Sequence, residues 1–437
     1  MQNDKAVLKD KRMRNGELQS MKKTKFKMTE IGPIPEDWEV KRLGEIASFE
    51  TATIDVKSID SEWYIGTENM VSGKAGIEKN LTSIPYRLVR EYKVGDVLIS
   101  NIRPYLKKIW LADRDGGCSS DVLVVRTLDS SVCLPIFLKM LLSDDLFFDF
   151  VMANAVGTKM PRGDKKVIVN YDVCLPPLAE QKAIAEALSD VDELLAAMTT
   201  LIEKKRAIKQ GTMQELLGMR NCEVGAKKVP RRRLPGFSGE WIEKRLGDCV
   251  TIARGGSPRP IDAYLTSRED GLNWVKIGDV AVGAKYIERT SEKILPSGLS
   301  STRMVYPGDF LLSNSMSFGR PYIMKIEGCI HDGWLVIQDY KDAFDTEYIY
   351  YVLGSESVTT QYQTIAAGSS VLNLNKDVIA SVIVAVPPTL AEQRAIAEVL
   401  SDMDAEIEAL EAKRAKYEGI KQSMMQELLT GRMRMKD

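Results

Sequence analysis

Several loops of this sequence combine glycine or small polar residues with basic side chains. Glycine lets a backbone approach a ligand closely, and guanidinium, amide and hydroxyl groups can bond phosphate or the edges of nucleic-acid bases. The candidate ligand-binding residues are Asn101, Arg103, Tyr105, Thr158, Lys159, Arg162, Arg254, Gly255, Gly256, Ser257, Arg259, Asn314, Ser317, Arg320, Ser369 and Ser370. Ordinary turns also need Gly, Ser and Asn, so a turn and a binding loop remain open alternatives for each residue.

Sequence signatures of catalysis are missing. The one histidine, His331, nearly excludes metal clusters and histidine-dependent triads, and a structural role explains it better. The sequence has no GxxxxGK phosphate loop, no NPPY-type adenine methyltransferase motif and no convincing glycine-rich nucleotide fingerprint. Glu91-Tyr92-Lys93 could belong to a nuclease site, but no partner aspartate motif precedes it. We therefore expect no catalytic residue, no metal site and no cofactor on this chain.

The elements that would position these loops are organised around a segment that occurs twice. It runs from Pro176 to Leu217 and again from Pro387 to Leu429, and equivalent residues such as Gln181 and Gln393 are 212 positions apart (393 − 181). Each copy begins with a proline pair, which suits the first turn of a helix. At about 1.5 Å per residue, some forty residues predict a helix of roughly 60 Å.

Apolar residues in both helices alternate in steps of four and three, the spacing of a coiled coil. These seam residues are Ile184, Leu188, Val191, Leu195, Met198 and Ile202 in the first helix, and Ile396, Leu400, Met403, Ile407 and Leu410 in the second. So narrow an apolar stripe on a long helix must be buried. We expect the helices to pack on each other, most simply antiparallel, and to hold two globular units apart; the alternative is that they dimerise the protein.

The globular segments that precede the helices are duplicated as well. The tetrapeptide KRLG at positions 41–44 recurs at 244–247, and the dipeptide GD at 95–96 recurs at 308–309. The middles of the two segments hardly agree. The whole chain is therefore predicted to be a tandem, pseudo-two-fold repeat in which a constant frame carries two different heads.

Local patterns within each globular segment mix strands and helices. Apolar, β-branched runs predict strands near Val124, Val169, Leu311 and Ile383. LPIFLKMLLSDDLFFDFVMAN, opened by Pro135, predicts one helix, and TEYIYYVLGSESVTTQYQ after Thr346 predicts its counterpart. Each unit is therefore expected to be α/β or α+β.

Composition sets broad limits. A chain of 437 residues suits two or more domains, and a net charge of −1 with 28% charged residues neither announces nor excludes a nucleic-acid binder. Six cysteines without a CxxC pair favour a reducing compartment. No apolar run is long enough to cross a membrane and no signal peptide is present, so we expect a cytoplasmic protein.

The predicted boundaries follow from these features. We expect a basic N-terminal tail at 1–27, globular domains at 28–175 and 234–386, helical segments at 176–220 and 387–437, and a basic linker at 221–233. The tail and the linker are basic at equivalent places in the repeat. They are either solvated segments or phosphate contacts, and both interpretations stay open.

The duplicated arrangement closely resembles the specificity (S) subunit of type I restriction-modification systems, in which two target recognition domains alternate with two conserved helical regions. In that family PLAEQ introduces each helix and QELL stands near its end. Here PLAEQ occupies 177–181 and LAEQ 390–393, while QELL occupies 214–217 and 426–429. The resemblance covers the chain from about residue 31 to the C-terminus.

The resemblance implies a non-catalytic subunit that binds double-stranded DNA. Each recognition domain would read one half of a bipartite, asymmetric target, and the candidate residues above would be its DNA contacts. The paired helices would set the gap between the halves and dock two modification (methyltransferase) subunits, which restriction (nuclease-translocase) subunits join. S-adenosylmethionine, ATP and magnesium would bind those partners. One alternative of a different class is a coiled-coil scaffold whose two divergent heads bind protein or carbohydrate.

Overall fold

The computed structural model describes residues 25–84, 86–219, 229–281, 283–314, 319–366 and 374–435. The chain divides into two compact units. The first consists of Met1–Ala197 and Arg414–Asp437, and the second of Met198–Lys413. Within the described ranges, no helix combines the length and the apolar character that crossing a membrane requires.

The first unit is built from antiparallel sheets and mostly short helices. Its strands are β1 (Phe26–Thr29), β2 (Gly32–Pro35), β3 (Glu39–Arg42), β4 (Ala47–Phe49), β5 (Thr53–Asp55), β6 (Leu88–Tyr92), β7 (Val97–Ser100), β8 (Ile109–Leu111), β9 (Gly116–Cys118), β10 (Val122–Thr127) and β11 (Asp172–Leu175). Its helices are α1 (Leu43–Ile46), α2 (Pro135–Leu142), α3 (Asp145–Ala153), α4 (Lys165–Ile168) and the beginning of α5 (Leu178–Leu217). The sheets are ordered β4-β10-β7-β8, β5-β6-β9, β11-β3 and β1-β2.

The second unit has a larger set of strands. They are β12 (Ile242–Arg245), β13 (Thr251–Arg254), β14 (Leu265–Thr266), β15 (Leu272–Val275), β16 (Tyr286–Ile287), β17 (Glu292–Ile294), β18 (Arg303–Val305), β19 (Phe310–Ser313), β20 (Pro321–Met324), β21 (Gly328–Ile330), β22 (Trp334–Gln338) and β23 (Ile383–Val386). Its helices are α6 (Leu246–Cys249), α7 (Thr346–Leu353), α8 (Glu356–Ala366), α9 (Lys376–Ser381), the end of α5 and the beginning of α10 (Leu390–Leu429). The end of α10 belongs to the first unit. The sheets are ordered β13-β22-β19-β20-β16, β14-β17-β15-β21-β18 and β12-β23.

The two units share one frame and differ in what is inserted into it. The antiparallel order β4-β10-β7-β8 of the first unit recurs as β13-β22-β19-β20 in the second. Between β13 and β18 the second unit inserts β14 to β17, where the first unit has β5 and two short 3-10 turns between β4 and β6. Both units mix helices with largely antiparallel sheets, and the inserted strands coincide with the segments whose sequences diverge.

The segment predicted as one helix after Pro135 forms two helices, α2 and α3. The hydroxyl of Ser143 donates to the carbonyl of Lys139 at 2.6 Å, and Asp144 caps α3 by accepting from the N–H of Leu146 at 2.9 Å. Short polar side chains that bond the local backbone compete with a continuous helix. The second unit breaks its helix at the same place, between α7 and α8, where the hydroxyl of Ser355 donates to the carbonyl of Val352 at 2.7 Å.

In each unit the last strand pairs with a strand near the beginning of the unit. The strand expected near Val169 begins only at Asp172. The residues just before Val169 instead form helix α4, whose N-terminus is capped by Asp164. β11 then pairs antiparallel with β3, and β23 pairs in the same way with β12. Each pairing places the start of the unit beside the start of its long helix.

A buried glutamate ties the first turn of α5 to this strand pair. The Glu180 carboxylate accepts a hydrogen bond from the indole of Trp38 at 3.0 Å and two from the guanidinium of Arg434 at 2.6 and 2.7 Å. Glu180 is 4% exposed. Its charge is therefore compensated by Arg434, which also binds Asp37 at 2.8 Å.

The second unit repeats this arrangement with Glu392, which is 1% exposed. Its carboxylate accepts hydrogen bonds from the indole of Trp241 at 3.3 Å and from the guanidinium of Arg233 at 2.7 Å. Arg233 belongs to the predicted basic linker. In the structure its guanidinium is an internal partner of Glu392 rather than a freely solvated charge.

The glutamine that follows each glutamate bonds the backbone. The Gln181 side chain donates to the carbonyl of Val132 at 2.8 Å and accepts from the N–H of Leu134 at 3.0 Å. Gln393 makes the equivalent pair of bonds at the start of α7. The repeated Ala-Glu-Gln sequence therefore anchors each long helix to its own globular domain.

The predicted seam is largely buried. Ile184, Leu188, Val191, Met198, Ile202, Ile396, Leu400 and Ile407 are buried, and Leu195, Met403 and Leu410 are partly buried. In the second unit Lys205 pairs with Glu406 and, further along α5, Lys209 pairs with Asp404. Because the partner numbers fall as the α5 numbers rise, the two helix segments of this unit run antiparallel.

One ion pair between the long helices occurs in both units. Lys209 binds Asp404 in the second unit, and Lys421 binds Asp192 in the first. Both partners are related by the repeat offset of 212 (404 − 192 and 421 − 209). Equivalent aspartate and lysine residues of the repeat therefore join the two long helices in each unit.

Charge reversal tests this ion pair. Asp192→Lys places a third ammonium beside Lys421 and the largely buried Lys139, whose ammonium lies 3.7 Å from the Asp192 carboxylate. We expect the free energy of unfolding to fall by about 1–2 kcal/mol, and the double exchange Asp192→Lys with Lys421→Asp to recover part of it. Urea denaturation measures both. Asp190→Lys, at an exposed position of α5, is the control, and an equal loss there would contradict the assignment.

The buried glutamate gives a second prediction. Glu392→Ala leaves the Arg233 guanidinium and the Trp241 N–H without their acceptor, which is expected to lower the free energy of unfolding by about 3 kcal/mol. Glu392→Gln should cost less, because it keeps an acceptor oxygen. Glu398→Ala, at an exposed position of α10, is the control in the same denaturation experiment. A Glu392→Ala variant as stable as this control would show that the ion pair is dispensable.

Candidate nucleic-acid interface

Two of the predicted loops of the first unit, 101–105 and 158–162, adjoin each other. The backbone N–H of Arg103 donates to the carbonyl of Pro161 at 2.9 Å. The residue before Arg103 also pairs with Arg162 in an isolated β-bridge. Residues that are distant in sequence therefore form one surface, which we call the first-unit loop pair.

The first-unit loop pair presents mainly positive charge. Arg103, Tyr105, Thr158 and Lys159 are exposed. Arg162 is exposed as well, although its guanidinium binds the Asp121 carboxylate at 3.1 Å. The surface therefore has three cations and one aromatic ring but only a single carboxylate bound to it. This excess of positive charge suits contact with the nucleic-acid backbone.

Asn101 is less accessible than its neighbours in this surface. It is half-buried, and within the described part of the chain its side-chain oxygen has no hydrogen-bond partner. Its backbone N–H donates to the carbonyl of Asp121 at 2.8 Å. The side-chain oxygen lies next to Gly163, where an added Cβ atom would be 3.0 Å away.

In the second unit, predicted residues from two segments converge on Asp332. The hydroxyl of Ser257 donates to one carboxylate oxygen at 3.0 Å, and the guanidinium of Arg259 lies 3.6 Å from the other. Arg254 and Asn314 donate to the backbone carbonyl of Asp332 at 3.0 and 3.3 Å. We call these five residues the Asp332 cluster.

The charge of Asp332 is stabilised within this cluster. Burial, the largest influence, raises the pKa of its carboxyl, but the hydrogen bond from Ser257 and the nearby His331 and Arg259 together lower the pKa below its ordinary value. His331 accepts from the N–H of Gly333 at Nδ1 and lies 2.9 Å from the Asp332 carboxylate at Nε2. The imidazole therefore braces the turn that carries Asp332.

Gly255 and Gly256 have a packing role. A Cβ atom on Gly255 would lie 2.2 Å from the carbonyl oxygen of His331, and one on Gly256 would lie 2.4 Å from that of Ser301. Both backbone N–H groups donate to carbonyls at the ends of neighbouring strands, at 2.9 and 3.1 Å. The glycines hold their loop against the sheet, and a ligand contact by them stays a prediction.

The remaining candidates do not join the Asp332 cluster through a described contact. The Arg320 guanidinium lies 5.7 Å from the centre of the Tyr322 ring, and Arg320 is half-buried. Ser317, Ser369 and Ser370 lie outside the described residues, as does most of the predicted tail and linker.

The sequence patterns did not single out Asp121 and Asp332, the carboxylates that organise the two surfaces. Asp121 directly precedes β10, and Asp332 stands two residues before the equivalent strand β22. An aspartate in the polar turn before the same frame strand of both repeats is the signal that could have identified them. Among the described residues, no group of three or more His, Cys, Asp or Glu side chains is placed to hold a metal ion.

Comparison with known proteins identifies the family. The sequence model of the type I restriction modification DNA specificity domain matches residues 35–206 and 238–418. These matches span most of the chain, so the chain belongs to this family and carries two of its domains in tandem. The resemblance inferred from the PLAEQ and QELL motifs is confirmed.

Relatives and a solved structure agree with this assignment. The chain is similar to the type I restriction enzyme MjaVIII specificity subunit of Methanocaldococcus jannaschii, with 25% identity over 448 residues that cover 96% of this chain and 98% of the relative. It is also similar to the putative type I restriction enzyme MjaX specificity subunit of the same organism, with 27% identity over 442 residues that cover 96% of this chain and 99% of the relative. A solved structure from work on assembly and conformational transition of the type I R-M system shares the fold, with 21% identity, 92% and 99% coverage and a TM-score of 0.59. The chain is thus a DNA-specificity subunit rather than a catalytic one.

Proposed function

We propose that each unit reads one half of a bipartite, asymmetric double-stranded DNA target. The observation that carries this proposal is that both family matches fall on the same four-stranded frame, into which the second unit alone inserts β14 to β17. A common frame supports binding of the same polymer in the same manner. Different inserts and different loop chemistry support recognition of different bases.

The long helices are proposed to form an antiparallel coiled coil that sets the gap between the half-sites. Support comes from the buried seam residues and from the ion pair that both units repeat. The same helices would dock two modification subunits, to which restriction subunits bind. S-adenosylmethionine, ATP and magnesium are proposed to bind those partners in a cytoplasmic complex, with no cofactor on this chain.

The proposed division of labour follows the predicted boundaries. Target recognition domains occupy 28–175 and 234–386, and the helical spacers occupy 176–220 and 387–437. The tail at 1–27 and the linker at 221–233 flank the domains, with Arg233 of the linker serving as the partner of Glu392.

The DNA contacts are proposed to differ in kind between the units. In the first-unit loop pair, exposed Arg103 and Lys159 contact phosphate, since neither is held by a described carboxylate at this surface. In the Asp332 cluster the basic groups are buttressed by a carboxylate, which suits contact with bases. The scaffold alternative loses its support, because both heads match one DNA-specificity family.

Salt titration tests the proposal in the first unit. Each cation that contacts a phosphate releases about one counterion, so Arg103→Ala and Lys159→Ala should each reduce the slope of log K against log salt by about 1. The measurement is fluorescence anisotropy of a duplex carrying the target, titrated with the complex of this chain and its modification subunits at several salt concentrations.

Lys57→Ala is the matched control, because Lys57 is an exposed lysine of the same unit outside the loop pair. A slope change at Lys57 equal to that at Lys159 would contradict the loop assignment. A wild-type complex without salt-dependent DNA binding would contradict the function itself.

A further inference from the structure

We propose that Arg259 reads a guanine in the half-site of the second unit, and that Asp332 is the positioning residue that orients the Arg259 guanidinium. This inference rests on the proposed DNA-reading function and assigns a base contact within it.

The loop that carries Arg259 is held rigidly. Gly255 and Gly256 pack directly against backbone carbonyls, and their N–H groups bond neighbouring strand ends. Pro258 and Pro260 flank Arg259, and each proline ring restricts both its own backbone and that of the residue before it. Arg259 therefore projects from a fixed backbone position, so little backbone entropy is lost on binding.

The Arg259 guanidinium contacts Asp332 and still has hydrogen-bond donors available for a ligand. One oxygen of the Asp332 carboxylate is bound by Ser257 and His331 at 3.0 and 2.9 Å, which leaves the other oxygen facing Arg259 at 3.6 Å. The Arg259 side chain remains 81% exposed. A guanidinium has five N–H donors, so the two that guanine O6 and N7 require stay available.

The cleft beside Arg259 favours a base edge over phosphate. It has a volume of about 790 Å³, and the partly exposed imidazole of His331 contributes aromatic surface to its lining. Two cations in the lining, Arg259 and Lys276, are matched by two carboxylates. Lys276 is already paired with one of these, Glu292, at 2.6 Å. A balanced set of charges gives no net attraction for phosphate, whereas it offers donors and acceptors to a base.

Methylation sequencing in a methylation-free host, with this chain and its modification subunit co-expressed, tests the inference. Relative to the wild-type motif, Arg259→Ala should lower the preference for guanine at one position of one half-site by about tenfold or more and leave the other half-site unchanged. Arg259→Lys should do the same, because an ammonium keeps the charge but lacks the planar pair of donors. Asp332→Asn should relax the same position.

The matched control is Arg268→Ala. Arg268 is an exposed arginine of the same unit that also binds a carboxylate, that of Asp270 at 2.8 Å, and it lies outside the cleft lining. It should preserve the motif. Arg259 variants that keep the wild-type motif, or that lower methylation equally at every site, would overturn the inference while the function stands. A wild-type motif whose half-sites lack guanine would also overturn the inference. The absence of any bipartite motif in the wild type would instead count against the proposed function.

Discussion

The buried carboxylates of Glu180 and Glu392 are the constraint on which each unit depends. A charge removed from water is tolerated only with a well-placed partner. Each carboxylate has two partners: a guanidinium, and the indole of the tryptophan that directly precedes β3 or β12. Arg434 follows the end of α10, and Arg233 follows the end of α5. One side chain therefore joins three parts of each unit: its beginning, the start of one long helix and the segment after the end of the other.

This anchoring allows the rest of each unit to vary. The antiparallel frame β4-β10-β7-β8 and its counterpart are supported from the helix side, while the inserts and loops carry no share of these buried ion pairs. Loop chemistry can thus differ, as it does between the cationic first-unit loop pair and the carboxylate-centred Asp332 cluster. Separation of a constant frame from variable loops is what a protein that reads two different half-sites requires.

Patterns within short stretches of sequence predicted much of this fold. Proline pairs and heptad spacing located α5 and α10, each forty residues long. The break between α2 and α3 was missed because the apolar pattern resumes beyond Ser143 and Asp144, whose side chains bond the local backbone at the break. The role of Glu180 was also hidden, since its partners Trp38 and Arg434 stand 142 and 254 residues away.

The candidate sites, like the fold, were predicted from the sequence only in part. Loop composition identified Ser257, Arg259 and Arg254, but their common partner Asp332 lies some 75 residues away, and only the pairing of β13 with β22 reveals the contact. Gly255 and Gly256 illustrate the reverse case. Their sequence suggested a ligand-facing loop, whereas the structure also gives them a packing role against backbone carbonyls.

The most direct test of the central claim is single-molecule methylation sequencing of a methylation-free host that expresses the wild-type chain with its modification subunit. We expect a bipartite, asymmetric motif with one modified adenine on each side of a gap of fixed length. A complex that assembles and carries S-adenosylmethionine, yet leaves every adenine unmodified, would contradict it.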